Sequence, residues 1–552
     1  MKDCKFSLTY KVNGLLKTET RYQNEDFAID ANFSEGAVKL ILNAKTPLEL
    51  VSASLAYAYQ YKEGDKFYAN GYQAWTLSRE YAKEDIISQM GWLASKKFAK
   101  KFAGISGDYH FKNYSKKAGI FHSHTYAYIR NNEEVALYGS LNERFGFTIF
   151  NIDMNGGAFV IEKDILGALV EKDYELFNIV KFNGGYDEVF DKYFALWNVR
   201  KPKVNFLSGY TSWYNYFTKI TEKIILRDLE GLQVAEDKAN IFQIDDGYQP
   251  HVGDWLDYSE DFPNGMKPIA EKIHEKGYLA GIWLAPFSVR KKSRTAKENP
   301  DWLIKDKNGK PTLGCLAWGG AYTLDMYKDG VKEHIKNFFN VVLNDWNFDM
   351  VKLDFLYSQC MEPRYGKSRG QIMVEAMEFL RECVGEKLML GCGVPLGATF
   401  GFVDACRIGC DAHLNYNGAF YHKLNLCNEI PSAGNAILDA VFRRHLDKRA
   451  FLNDPDVFFL RDFNLVYSKA QKLLLAKINN ICGSVLFVSD DAGNYGDWEK
   501  DIVKKAFTKT DAKITSAEFV SADTVKISYT ENGEDKRITF SVATGENDIG
   551  EW

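Results

Sequence analysis

Asp349-Met350-Val351-Lys352-Leu353-Asp354-Phe355-Leu356-Tyr357 places a lysine and an aspartate two residues apart inside an apolar run of strand length. Strand side chains alternate, so Lys352 and Asp354 share one face, and Val351, Leu353 and Phe355 share the other. In a closed parallel barrel the polar face is the lumen. Asp354 then falls near the strand's C-terminal end, where barrel enzymes keep their chemistry. A neighbouring cation holds a carboxylate ionised. An ionised, positioned aspartate is what covalent catalysis at a sugar carbon requires.

The flanking sequence supplies the rest of such a barrel. Strand-length apolar runs alternate with helical segments, the pattern of βα units. Eight strands are predicted: Asn205–Trp213, Asn240–Gly247, Leu279–Phe287, Met350–Tyr357, Leu388–Val394, Cys406–Ala412, Ala450–Asn453 and Gly483–Ser489. Amphipathic spacing predicts helices at Lys223–Ala235, Met266–Lys276, Val331–Trp346, Ile372–Cys383 and Ala436–Leu446. A (β/α)8 TIM barrel over 200–505 follows. Polar residues recur at its strand ends: Asp245-Asp246, Trp283, Lys352 and Asp354, Cys392, Arg407 and Asp411, Asn453–Asp456 and Asp490-Asp491. Aspartate is common in loops and helix caps, and capping or loop fixing is the reading for Asn453–Asp456 and Asp490-Asp491. Convergence on one rim favours a functional reading of Asp245, Asp354 and Asp411.

Residues 1–195 alternate between short β-rich runs and turn signals such as Asn155-Gly156-Gly157, which predicts an antiparallel β-sandwich. His122 and His124, on one strand face, read as structural. In the loop Asn70-Gly71-Tyr72-Gln73-Ala74-Trp75-Thr76, Trp75 stacks on a sugar ring if the loop reaches the barrel. From these residues alone, a surface loop tucked under its own aromatics is the plainer expectation. Residues 510–552 read as a small antiparallel β domain with a hairpin at Glu531-Asn532-Gly533-Glu534.

At 552 residues the chain is too long for a single core. Net charge is −5, and the nearest approach to a basic block, Lys96-Lys97-Phe98-Ala99-Lys100-Lys101, reads as a solvated face, so no nucleic-acid partner is expected. The nine cysteines include no C-x-x-C pair, and no histidine spacing completes a zinc site, so neither metal nor cofactor is expected. The first residues lack the apolar run of a signal peptide, and no apolar segment approaches the ~20 residues of a membrane span. A soluble cytoplasmic protein with no membrane partner is the expectation.

Glycoside hydrolysis needs two carboxyl groups whose pKa values are pushed apart. Lys352 favours an ionised Asp354 as nucleophile. Asp411 is the candidate acid/base. Arg407, four residues earlier, falls on the same strand face. It can orient a ligand, yet its charge works against an acid at Asp411.

These pieces resemble the α-galactosidases of glycoside hydrolase family 36, in particular the shorter bacterial type. The matching segments are Asn70–Trp75, Gln243–Gln249, Gly281–Phe287, Lys352–Phe355, Gly391–Gly393, Arg407–Asp411 and Asn453–Asp456, in order. The resemblance implies a sandwich, a catalytic barrel and a small C-terminal β domain, with retention of configuration by double displacement. It implies Asp354 as nucleophile and Asp411 as acid/base, with Asp245 and Asp246 on galactose O4 and O6. By the same matching Lys352 and Arg407 contact other ring hydroxyls, Cys392 lies beside the ring, and Trp283 and Trp75 form apolar walls. The expected partner is a small oligosaccharide of melibiose or raffinose type with a terminal α-galactose. Alternatives on the same scaffold are a raffinose-synthase-like galactosyltransferase and an α-N-acetylgalactosaminidase. Outside it stand a Schiff-base aldolase using Lys352 and a sugar-binding protein without catalysis.

Overall fold

In a computed structural model, which describes residues 1–87, 107, 112, 114–416, 418 and 431–552, the chain opens with two antiparallel sheets. The basic stretch Lys96–Lys101 lies outside the described residues. Lys5–Val12 shows how the sandwich forms. Phe6, Leu8, Tyr10 and Val12 are buried and alternate with less buried neighbours, as in a strand with one face on a core. The run from Ile120 to Asn131 is divided between the two sheets. Ile120–His124 belongs to one sheet and Tyr126–Asn131 to the other. Thr125, at φ +69°, turns the chain between them. The second sheet and the helix Tyr186–Phe194 pack against the barrel. At that junction His445 is fully buried between the hydroxyls of Tyr186, at 2.7 Å from Nδ1, and Tyr126, at 2.8 Å from Nε2.

The barrel strands are β1 (Leu207–Thr211), β2 (Ile241–Ile244), β3 (Leu279–Leu284), β4 (Met350–Leu353), β5 (Leu388–Gly391), β6 (Ala405–Arg407), β7 in two pieces (Leu452–Asp454 and Val457–Phe458) and β8 (Val485–Val488). Every pairing among them is parallel. The first piece of β7 pairs with β6 and the second with β8, so the ring closes across a break at Pro455-Asp456. Proline cannot donate to a ladder, and Asp456 has φ +74°. These strands are shorter than the expected ones, because the polar ends in the sequence are loops above the rim.

Helices form at Glu222–Gly231, Lys267–Glu275, Asp329–Asn340, Arg369–Val384 and Ala433–Phe442, each overlapping a predicted one. Lys469–Cys482, which amphipathic spacing does not mark, lies between β7 and β8. From Lys472 onward it is buried on every side, its polar residues Lys472, Lys477, Asn479 and Asn480 included. After β3 an insertion builds its own three-stranded sheet, Ser288–Arg290, Leu313–Cys315 and Ala321–Thr323. The chain ends in the antiparallel strands Lys513–Phe519, Thr524–Glu531 and Glu534–Ser541. Asn532 (φ +55°) and Gly533 (φ +78°) make the left-handed turn a tight hairpin requires. Among the described residues no helix is long and apolar enough to cross a membrane.

Candidate active site

Above the C-terminal ends of the barrel strands lies a cavity of about 250 Å³. Trp75, Asp245, Asp246, Trp283, Lys352, Asp354 and Asp411 line it, together with Trp213, Ala317, Trp318, Phe355 and Pro431. Cys392 and Arg407 do not line it and stand directly behind lining residues.

Lys352 sits on β4 with its side chain in the lumen, as its spacing predicts, but its ion-pair partner is different. Its ammonium donates to Asp245 at 2.9 Å. Burial pulls Lys352 down, but Asp245, helped by Cys392 and Asp354, outweighs it, so the lysine stays charged. Asp245 Oδ2 also accepts from Gln243 Nε2 at 2.8 Å, and its Oδ1 accepts the Asp246 N–H at 3.0 Å. The two neighbouring carboxylates are thus oriented as a unit. Asp246 accepts from Gln249 Nε2 at 2.5 Å and from the Trp318 indole at 2.7 Å. Burial still pushes Asp246 up to about 6, against those two donors and with the charges of Asp245 and Asp354 adding to the rise.

Asp354 follows directly on β4. Its Oδ1 accepts the Phe355 N–H at 2.8 Å, and its Oδ2 accepts the Trp283 indole N–H at 3.2 Å. Burial raises the Asp354 carboxyl above its ordinary value; Lys352 opposes this and Asp411 adds to it. Phe355 departs from the expected alternation. At φ +54° it is in the left-handed region, and its ring joins Asp354 in the cavity wall. Trp318, at φ +56°, carries the same kind of strain. Bulky residues hold this conformation only where their surroundings over-determine it, and such positions cluster at functional sites.

Asp411 lies beyond the end of β6, with a side chain 40% exposed to the cavity mouth. Arg407, nearly fully buried, spans three carboxylates. Nη1 donates to Asp411 at 2.8 Å, Nε to Asp454 at 3.3 Å, and Nη2 meets Asp456 at 2.7 Å. Asp454 and Asp456 therefore form ion pairs beneath Asp411 as well as fixing their loop. Asp490 keeps the loop-fixing role expected of it, accepting the N–H groups of Leu460 and Arg461.

The loop 70–76 crosses from the sandwich into the barrel, against the plainer expectation from its residues. The Ala74 N–H donates to the Val394 carbonyl at 2.9 Å. Trp75 Nε1 donates to Cys392 Sγ at 3.4 Å, and its ring packs edge-on against Phe355 with centroids 5.3 Å apart. Arg443 anchors the loop, and the sequence reading missed it. This fully buried guanidinium donates to the carbonyls of Gln73 (3.0 Å), Ala74 (2.6 Å) and Ile408 (2.7 Å) and to Asn70 Oδ1 (3.1 Å). Trp318 was also missed. The available signal was an aromatic before Gly319-Gly320 in an unusually long β3–helix connection. Among the described residues no group of histidine, cysteine, aspartate and glutamate is arranged to hold a metal.

Residues 228–377, from the helix after β1 to the helix after β4, match the Melibiase family model. An A type blood alpha-D-galactosamine galactosaminidase of Flavonifractor plautii is 28% identical over 195 residues, which cover 32% of this chain and 18% of that protein. The α-galactosidase Mel36A of Lactobacillus acidophilus is 30% identical over 135 residues, 22% of this chain and 18% of the relative. These matches span about a fifth of the length of either relative. Among solved structures, the α-galactosidase TtGalA of Thermus thermophilus, in complex with p-nitrophenyl α-D-galactopyranoside, superposes with a TM-score of 0.73 at 23% identity, covering 96% of this chain and 98% of that one. The family 36 α-galactosidase AgaA of Geobacillus stearothermophilus gives 0.61 at 12% identity over 95% and 80%. Residues 228–377 thus carry the sequence likeness to the Melibiase family, and nearly the whole chain shares the fold of these solved structures.

Proposed function

We propose that the protein is an exo-acting α-galactosidase that removes terminal α-D-galactosyl residues from small oligosaccharides with retention of configuration. One observation carries this reading. Asp354 and Asp411 line the same cavity, beside a carboxylate pair and between indole walls. At about 250 Å³ the cavity is smaller than the ~300–1,000 Å³ pockets of drug-sized ligands. It suits one terminal sugar ring rather than an internal stretch of chain. Asp354 attacks the anomeric carbon, and Asp411 gives its proton to the departing glycosidic oxygen. Asp411 then takes a proton from the water that releases galactose from Asp354. Asp245 and Asp246 accept hydroxyl donors from O4 and O6. An epimer at C4 forfeits a hydrogen bond to a buried carboxylate, a loss of about 1–3 kcal/mol.

A panel of aryl α- and β-hexosides, with the anomer of the first-formed product read by NMR, tests the reaction. Cleavage of α-galactosides to α-galactose is expected; β-galactose as the first product sinks the retaining assignment. Asp354→Ala should abolish turnover, and azide should then yield β-galactosyl azide. An α-azide removes Asp354 as nucleophile. Asp411→Ala should damage poor leaving groups far more than activated aryl ones. Added sucrose separates hydrolysis from transfer, since a galactosyltransferase gives the trisaccharide in place of free galactose.

The galactosaminidase relative supports a second reading in which the sugar carries a nitrogen substituent at C2. Matched aryl α-galactoside, α-galactosaminide and α-N-acetylgalactosaminide decide between the two by their kcat/KM ratio.

A further inference from the structure

Arg407 raises a chemical difficulty for an acid at Asp411. A guanidinium 2.8 Å from a carboxyl favours the carboxylate, whereas a leaving-group acid must hold its proton. The structure shows where much of that positive charge goes. Asp454 and Asp456 both meet the same guanidinium, and both are buried. Asp456 has a second grip. Its Oδ2 accepts the backbone N–H of Ala412, the residue after Asp411, at 2.7 Å and the hydroxyl of Tyr214 at 2.5 Å. Its own N–H donates to Asp454 Oδ1 at 2.9 Å, and its carbonyl accepts from Asn479 at 3.2 Å. One carboxylate outside the cavity lining thus holds the Asp411 loop by its backbone and the Asp411 side chain through Arg407. It does so at φ +74°, in the break of β7.

We propose that Asp456 is the positioning residue of the acid/base: it fixes the loop that carries Asp411 and draws Arg407's charge away from the Asp411 carboxyl. This rests on the reading of Asp411 as acid/base. Among the described residues the ionisable groups facing the cluster are Arg407 and Asp454, Cys410 and Asp411 after β6, Tyr214 after β1, Lys352 on β4, and Tyr467. Asp354 and Cys392 face Asp411 from the cavity side. Burial pushes Asp456 upward, Arg407 opposes it, and Asp411 adds to the rise, so the two carboxyls sense each other.

Asp456→Asn keeps the shape and removes the charge. With it kcat/KM on melibiose should fall roughly 10²-fold, while an aryl α-galactoside with a good leaving group loses less than about fivefold. The basic limb of the pH profile should move to lower pH, because a less compensated Arg407 holds Asp411 as carboxylate. Tyr214→Phe removes a donor that helps hold Asp456 ionised and should move that limb the same way by a smaller amount; it carries the test if Asp456→Asn does not fold. In an Asp411→Ala background Asp456→Asn should cost nothing further on either substrate. Equal losses on both substrates, a full additional loss in that background, or an unmoved basic limb overturns the proposal. The parent reading is tested separately: wild-type turnover of α-galactosides and leaving-group selectivity in Asp411→Ala alone must both be present.

Discussion

Asp246, proposed above to accept a sugar hydroxyl, illustrates what burial does to a carboxylate. Its carboxyl is pushed up to about 6 by burial, so it gains a proton just below neutral pH. The protonated form can no longer accept two hydroxyl donors. KM for an α-galactoside is therefore expected to rise as pH falls through about 6, and Asp246→Asn should raise KM at least tenfold and flatten that acid-side dependence. A flat wild-type KM between pH 5 and 7 refutes this. The linkage has a definite sign. The folded-state value lies above the unfolded one, so the native protein binds this proton more tightly. Asp246's contribution to stability is most favourable below about pH 4 and falls as pH rises through 6. Wild-type stability relative to Asp246→Asn should decline over that interval in urea titrations.

Much at this scale was legible, and the omissions have physical causes. Period-two spacing along one strand sent Lys352 into the lumen, but it cannot say which carboxylate on a neighbouring strand stands closest. That partner is Asp245, not Asp354. The same spacing placed Phe355 on the far face, where backbone strain instead brings it round beside Asp354. Arg443 makes only backbone and amide contacts across distant segments, so nothing local marks it.

Among the elements, the loop after β5 decides where Trp75 lies. Gly393 has φ +54°, and a Cβ there would stand 2.8 Å from the Trp75 ring. A methyl group cannot fit without moving the indole. Gly393→Ala should destabilise the protein by about 1–2 kcal/mol from backbone and packing strain together. It should also raise KM more than it lowers kcat, because the indole wall must move at 2.8 Å whereas the Phe355 N–H that holds Asp354, at 3.1 Å from the new Cβ, need yield only a few tenths of an ångström. A kcat effect larger than the KM effect contradicts this division. The alternating βα pattern found the barrel strands from their apolar runs. It did not find the small sheet after β3, whose three-residue strands carry too few residues to show a period. That sheet delivers Trp318.

At the scale of the molecule, the sandwich and barrel share one site, and a buried arginine joins them. Truncating Arg443 strands the carbonyls of Gln73, Ala74 and Ile408. Arg443→Met should cost about 3–5 kcal/mol by comparison with other buried charged groups, and the loss should appear as earlier release of the Trp75 loop. Limited proteolysis within 70–76 measures that release; unchanged cleavage at lowered stability removes the coupling. The three-part order of sandwich, barrel and small sheet was visible in the change from period two to alternating periods and back. The crossing of the loop 70–76 was not, because a glycine–aromatic turn looks the same on a surface as in a socket.

The split seventh strand has a consequence for biogenesis. β1 finds its outer neighbour only in β8, and the second piece of β7 pairs with β8 alone. Until Val485–Val488 leaves the ribosome, the nascent cylinder has two raw edges, each an invitation to pair with another chain. Synthesis halted anywhere before that point should give aggregates, however complete the rim that carries Asp354 and Asp411.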